Sequence, residues 1–410
     1  MADPQRLNAR EAQAGFHRGL FITPVAPWNS FGGTATVSRN LTSLFIEAMP
    51  THVCCLRANE AGIYPQMMHG ATVLSGPVTK FGRQVRFFFD WSRESFAHRQ
   101  FERRKVRQRL TALLAEQRPA FVVLDHIFSA WVIDLLPRDL PLVFIAHDDM
   151  VAYADSMLRL HPAFSKRVRL SGLRRQYKGL QEKVVKRSEL VLTMTEEDAA
   201  IFRVSSTSQV EVAPLFFEFP QISTRPGAEF SYLLATGSFD TWEKRLGLSR
   251  FVREIFAPLQ NSFGDLRLMV AGRIPHDLQR TLDLPPSVLE IVHQPSEERM
   301  QQVIAGASAA VVLDLQSSGL KIKTVELATA GLPILSWPPG LEGTGLVDEE
   351  SCLLASTTEE FTHKLHQLFR DRELRQRLGD VARATMLERF SRAKARAELE
   401  KLKPLFFADR

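Results

Sequence analysis

The stretch Ser317–Trp337, SSGLKIKTVELATAGLPILSW, decides how the chain is read. Ser317, Ser318 and Gly319 form a small-residue loop that supplies an N-cap, which predicts a helix from about Leu320. Ile322, Val325 and Ala328–Ala330 cover its core side, while Lys323 and Glu326, three residues apart, share another face. Gly331 ends the helix, and LPILSW (332–337) reads as a short buried strand. A lysine in the first turn opposes the helix dipole, so helix stability does not account for Lys321 or Lys323. An anion held at the first free N–H groups would account for it. Glu326, one turn deeper, is placed to accept two hydrogen bonds from a ribose diol. The competing account is an ordinary Lys–Glu surface pair.

Outward from this stretch, short apolar runs alternate with longer mixed segments. Before it lie SYLLATGS (231–238), LRLMVAG (266–272), LEIVH (289–293) and AAVVLDL (309–315); after it comes SCLLAS (351–356), then helical sequence over 357–406. The first half repeats the arrangement with GLFITP (19–24), THVCCLR (51–57), AFVVLDH (120–126), LPLVFIAH (140–147) and ELVLTMT (189–195). Helical patterns fall at 33–49, 92–117, 151–187 and 196–203. Continuous apolar strands alternating with helices indicate parallel sheets covered on both faces. The fold class is therefore α/β, two Rossmann-like doubly wound domains. Their expected limits are 1–212 and 231–390, joined by a Pro-containing linker at 213–230, with 391–410 a C-terminal helix returning to the first domain. Ligands of such sheets bind at the carboxyl ends of the strands, so the cleft between the domains is the expected site.

The chain has 410 residues, 45% hydrophobic and 24% charged, as expected of an average globular protein of two domains. The start lacks an apolar signal core, and AFVVLDHIFSAWVIDLLP carries three titratable groups and a proline, which disqualifies it as a membrane span. Cys54, Cys55 and Cys352 sit in apolar runs without metal-ligand spacing and read as inert core thiols, so a cytoplasmic protein is expected. Residues 1–215 hold 28 Lys+Arg against 20 Asp+Glu; the remainder holds 24 against 26. The excess lies in HRQFERRKVRQRL (98–110) and SKRVRLSGLRRQYKGLQEKVVKR (165–187). Basic helices of this kind suit an anionic partner or are simply a solvated face.

Strand ends carry the chemistry. Gly32–Gly33 lies between a strand and a helix, where glycines let backbone approach a ligand. It is not GxGxxG, and no ribose-binding acid follows at the right distance, so a dinucleotide enzyme is disfavoured. His147, followed by Asp148 and Asp149, closes a strand and could donate to a substrate hydroxyl, unless the acids only cap the next helix. Gly237–Ser238, with Lys244 and Arg245 ahead of a helix, and Arg273 at another strand end would suit a diphosphate. No His/Asp cluster suggests a metal.

Taken together, these segments resemble GT-B glycosyltransferases, specifically the retaining, nucleotide-sugar-dependent glycosyltransferase family 4. The resemblance runs over nearly the whole chain. It rests on Pro27 with Gly32–Gly33, AHDD (146–149), RSELVLTMTEEDAAIF (187–202), LLATGSFD, LRLMVAGRIP, and most specifically SSGLKIKTVELATAGLPILSWPPGLEGTGL, which is similar to the family's GxGxxxKxxEAxAxGxPVVxTxxGxEGL. It implies a donor nucleotide held by the second domain with Glu326 on the ribose. The diphosphate would lie among Gly32, Gly33, Gly237, Ser238, Lys244, Arg245, Arg273, Ser318, Gly319, Leu320, Lys321 and Lys323. His147 would meet the donor sugar or developing charge, and Trp28 and Asp148 the acceptor.

Three departures stand out. Many relatives carry a glutamate where this chain has Ser318; PNGVD is replaced by PLFFEF (214–219); and Lys244–Arg245 only approximately matches a phosphate-binding lysine. The expected activity is metal-independent, cofactor-free sugar transfer with retention, from a nucleoside diphosphate sugar to a glycan, lipid-linked or protein-linked acceptor. The expected location is the cytoplasm, with the anionic inner face of the membrane as a candidate partner surface, and nucleic acid is not expected as a partner. Two rivals stay open: a GT-B protein that binds nucleotide sugar without transferring it, and a basic membrane- or nucleic-acid-binding scaffold.

Overall fold

The computed structural model describes residues 19–26, 32–57, 71–76, 101–220, 222 and 230–406. Trp28, expected to meet the acceptor, and Pro27 of the glycine-loop motif lie outside the described residues, as does part of the expected linker. The chain divides into two compact units. The first comprises Met1–Ala154, Ala163–Leu215 and Ala393–Arg410; the second comprises Asp155–Pro162 and Phe216–Arg392.

The first unit is built on β1 (Gly19–Val25), α1 (Gly33–Ala48), β2 (Thr51–Arg57), β3 (Ala71–Val73), α2 (Arg103–Gln117), β4 (Phe121–Asp125), β5 (Leu142–Ala146), α3 (Met150–Leu160), α4 (Phe164–Arg187), β6 (Leu190–Thr193), α5 (Glu196–Ser205) and β7 (Gln209–Val212). All seven strands run parallel in the order β3-β2-β1-β4-β5-β6-β7. FVVLD and LVFIA are buried at every position, as strands covered on both faces must be. The helix expected over 151–187 is two helices, because Pro162 cannot donate to a continuing ladder and disfavours helical geometry at His161. β3 and the half-exposed β7 (QVEV) are edge strands that the apolar-run criterion passes over.

The second unit repeats the plan: β8 (Leu233–Ser238), α6 (Trp242–Phe251), α7 (Ala257–Ser262), β9 (Leu268–Arg273), α8 (Leu278–Leu282), β10 (Leu289–His293), α9 (Glu297–Gly306), β11 (Ala309–Val312), α10 (Ile322–Thr329), β12 (Ile334–Ser336) and β13 (Leu353–Leu354). A π-helical turn, Val252–Phe256, carries α6 into α7. The strands are again parallel, in the order β10-β9-β8-β11-β12-β13. Each sheet therefore has the doubly wound order, with its reversal between β1 and β4 and between β8 and β11. Loops at the carboxyl ends of those four strands are where a ligand of this architecture belongs.

Helical sequence at the C-terminus is three helices: α11 (Thr358–Arg370), α12 (Arg372–Arg389) and α13 (Arg392–Phe406). Thr357 and Glu360 cap α11 reciprocally, and Asp371 accepts from Leu374 N–H (2.9 Å) to start α12, so the breaks are set by capping residues. From Ala393 the chain rejoins the first unit. There Phe406, 1% exposed, stacks between Phe45 and Phe121 with ring centroids 5.6 and 5.5 Å away. Truncating that ring leaves a cavity beside two other aromatics, so Phe406→Ala should cost about 3–5 kcal/mol in urea unfolding of the first unit.

Candidate active site

In the second unit, β8 and β9 end in register, with Gly237 opposite Gly272 and Ser238 opposite Arg273. A Cβ on Gly272 would stand 2.1 Å from the Gly237 carbonyl oxygen, and its φ of 134° is open only to glycine, so the strand ends can approach only without side chains. Arg273 pairs with Asp240 (3.3 Å) in the loop after β8. From the first turn of α6, Lys244 forms an ion pair with Asp314 in the loop after β11. These two pairs tie the β9, β8 and β11 loops into one continuous edge. Arg245, beside Lys244, makes no ion pair or side-chain hydrogen bond among the described residues.

The loop Asp314–Lys321 differs from the sequence expectation in one respect. The helix α10 begins at Ile322 rather than near Leu320, and Lys321 occupies the N-cap position with no side-chain cap bond. Two interactions move the boundary. Gly319 takes a left-handed φ of 65°, and Ser318 N–H, instead of facing the helix, donates to Glu342 Oε2 (2.9 Å). Ser318 therefore does not cap the helix. Its carbonyl accepts from Lys321 Nζ (2.6 Å), so the buried Lys321 ammonium is engaged by its own loop. Lys323, half exposed, pairs with Glu326 (2.6 Å) along the helix. The surface pair weighed for these two residues is formed. Gly319, Leu320 and Lys321 N–H groups precede the first turn, and the buried Thr324 hydroxyl donates to Gly340 O (2.7 Å), holding the helix start against the turn after β12.

In the first unit, Gly32 (φ 119°) precedes α1 with no side-chain cap, leaving the N–H groups of Gly33 and its neighbours at the carboxyl end of β1. Beside it, the fully buried Asp125 closes β4. Ser38 of α1 donates its hydroxyl to Asp125 Oδ2 (2.6 Å), and His147 Nε2 lies 2.6 Å from Asp125 Oδ1. Burial opposes ionisation of Asp125, but the charge of His147, with the hydrogen bonds from His147 and Ser38, holds the carboxyl below its ordinary value. A carboxylate only accepts, so it fixes the proton of a neutral His147 on Nε2. In that tautomer Nδ1 has only a lone pair to offer a hydroxyl, and the ring donates there only as imidazolium. Asp148 is half-buried, and the next acid acts locally: Asp149 Oδ1 accepts from Val151 N–H (2.9 Å) and Gln181 Nε2 (3.0 Å), capping α3.

Sequence reasoning passed over Asp125, Asp314, Ser38 and Glu342. A signal for the first two was present: FVVLD and AVVLD are apolar strand runs that finish on a lone carboxylate at the two positions where strand order reverses. Each meets a basic group from a neighbouring element, His147 after β5 in one unit and Lys244 in the first turn of α6 in the other. Among the described residues no group of three His, Cys, Asp or Glu is arranged to hold a metal ion, and no helix is long and apolar enough to cross a membrane. The three cysteines are buried, and burial pushes the Cys352 thiol up to about 12.

Residues 231–371 match the family model described as "Glycosyl transferases group 1". No curated protein matches the chain by sequence. Among solved structures, sucrose-phosphate synthase from Thermosynechococcus elongatus superposes with a TM-score of 0.73 at 16% identity, over 96% of this chain and 99% of that one. WaaG, a glycosyltransferase involved in lipopolysaccharide biosynthesis, gives 0.65 at 15% identity, over 95% and 100%. HepE of Anabaena, solved with UDP and glucose, gives 0.63 at 10% identity, over 94% and 99%. The expected GT-B fold is borne out, and residues 231–371 of the second unit are similar to the glycosyl transferases group 1 model.

His126 follows Asp125 in a left-handed conformation (φ 67°), stacked on Phe128 and 4.9 Å from the His147 ring. Its Nδ1 accepts from Phe128 N–H (3.2 Å), and burial, then the neighbouring His147, push its pKa down to about 3. The folded state thus refuses a proton that the unfolded chain takes below 6.5, so stability is full above that value and falls as pH drops toward 3. Between pH 7 and 5 the loss should be about 2 kcal/mol. His126→Asn, which tolerates the same backbone, should flatten that slope in chemical unfolding at a series of pH values.

Proposed function

With a glycosyl transferases group 1 domain at 231–371 on a GT-B fold, we propose that the protein transfers a sugar from a nucleoside diphosphate donor to an acceptor hydroxyl, with retention and without a metal. The observation that carries this reading is the continuous carboxyl edge of β9, β8 and β11. There Arg273, Lys244 and Lys323 are each paired with an acid that a diphosphate can replace, beside the free Arg245 and the N–H groups of Gly319 and Leu320. Such groups stabilise negative charge as it builds on the leaving group. Supplied by side chains and backbone, that charge needs no metal ion.

Glu326, 19% exposed at its side chain, gives up Lys323 to the diphosphate and accepts from the ribose diol. As the bond from the anomeric carbon to the phosphate oxygen breaks, the acceptor oxygen bonds to that carbon on the same face, and its proton passes to the departing phosphate oxygen. We assign His147, oriented by Asp125, to the sugar or its developing charge. Asp148 and the basic first unit are assigned to an acceptor that is a glycan or is carried on lipid or protein. The UDP and glucose of the HepE structure make UDP-glucose the first donor to try. Ser318, where an acid would give one more sugar contact, favours a second reading in which donor is bound but not transferred.

The test follows nucleoside diphosphate release from a panel of nucleotide sugars, with the product anomer read by NMR. Wild type should release diphosphate slowly, and Glu326→Ala or Lys323→Ala should lower kcat/KM by about 10- to 100-fold, the worth of a charged hydrogen bond. Equal release by wild type and Glu326→Ala would remove the site assignment. Donor binding with no release from any member of the panel selects the second reading.

A further inference from the structure

We propose that the outward face of α4 is a docking surface for an anionic lipid bilayer. The helix carries nine Lys and Arg against one acid, Glu182. Its buried residues, Tyr177, Leu180, Val184 and Val185, all lie in the second half. Nothing between Phe164 and Arg169 is buried or half-buried. At 3.6 residues per turn, the side opposite Leu180 and Val184 presents Phe164, Val168, Arg175 and Lys178, with Arg167 at its margin. Phe164 is 81% exposed and Val168 57%, a pair one turn apart on the solvent side of a helix whose other side packs the core.

The two halves use their cations differently. Near the end of α4, Lys183 pairs with Asp134 (2.6 Å) and Arg187 donates to the Pro137 and Leu140 carbonyls, fastening the helix to its own unit. Near its start, no hydrogen bond or ion pair among the described residues engages the side chains of Lys166, Arg167 or Arg175. Among the described residues Arg167 and Arg175 face no acid and Lys178 is held only by the exposed Glu182 (3.7 Å), and such cations beside an exposed Phe–Val pair fit the two layers of a bilayer interface. Anionic headgroups take the guanidinium and ammonium groups, and the acyl boundary takes the apolar pair. A nucleic acid backbone would use the cations and leave Val168 in water.

The surface lies wholly in the first unit and does not depend on the sugar-transfer reading, so it is tested without donor. The full chain is sedimented with vesicles of equal parts phosphatidylglycerol and phosphatidylcholine, with phosphatidylcholine vesicles, and with a single-stranded RNA. Wild type should sediment with the anionic vesicles alone, less so as salt rises. Arg167→Gln/Arg175→Gln/Lys178→Gln should lower partitioning about a hundredfold, at about fivefold per cation, and Phe164→Ser/Val168→Ser about tenfold. All these side chains are exposed, so the melting temperature should stay at the wild-type value. The control Arg280→Gln/Arg372→Gln/Lys401→Gln removes the same charge elsewhere and should bind as wild type. Equal losses in the two triple variants, equal binding to both kinds of vesicle, or capture of RNA in preference to vesicles would each overturn the proposal.

Discussion

Two carboxylates at the ends of apolar strands organise this molecule. Asp125 closes β4 and Asp314 follows β11, each beside the gap where strand order reverses. A buried carboxylate is costly unless something pairs with it, and here the partner comes from a neighbouring element. Asp125 takes His147 and Ser38; Asp314 takes Lys244. Each pair fixes a loop that the parallel sheet alone would leave loose, and each places a basic group where a ligand of a doubly wound sheet lies. Removing either acid would strand a cation or an imidazole as well as free a loop.

The second unit shows how a protein holds a cluster of positive charge at one sheet edge by pairing Arg273, Lys244 and Lys323 each with an acid. Arg273 pairs with Asp240, whose side chain is 42% exposed, so the exchange of that partner for a diphosphate is inexpensive, whereas Asp314 and Glu326, the partners of Lys244 and Lys323, are more shielded. Lys321 is different. It is buried and donates to Ser318 O, and with Glu342 on the Ser318 N–H it holds the two peptide groups that flank Ser318.

The parallel sheets were legible because strands buried on both faces are continuously apolar, and FVVLD or LVFIA admit little else. The edge strands β3 and β7 were not, since a half-solvated QVEV has no apolar run. The start of α10 was misplaced by two residues. The deciding hydrogen bond joins Ser318 to a glutamate 24 positions away, and no local capping rule sees that distance. Lys244 and His147 stood out by position, whereas Asp314 and Asp125, the acids that orient them, did not. The pairs His147–Asp125 and Lys244–Asp314 span 22 and 70 residues and exist only once the sheets are assembled.

The central claim is that the second unit binds a nucleoside diphosphate by trading its ion pairs for phosphate. Calorimetric titration of the full chain with UDP, GDP and ADP tests it most directly. One of the three should bind at a single site, more weakly as salt rises, and Lys323→Ala should weaken it about tenfold or more. No binding by any of them, or binding indifferent to Lys323, would contradict the account.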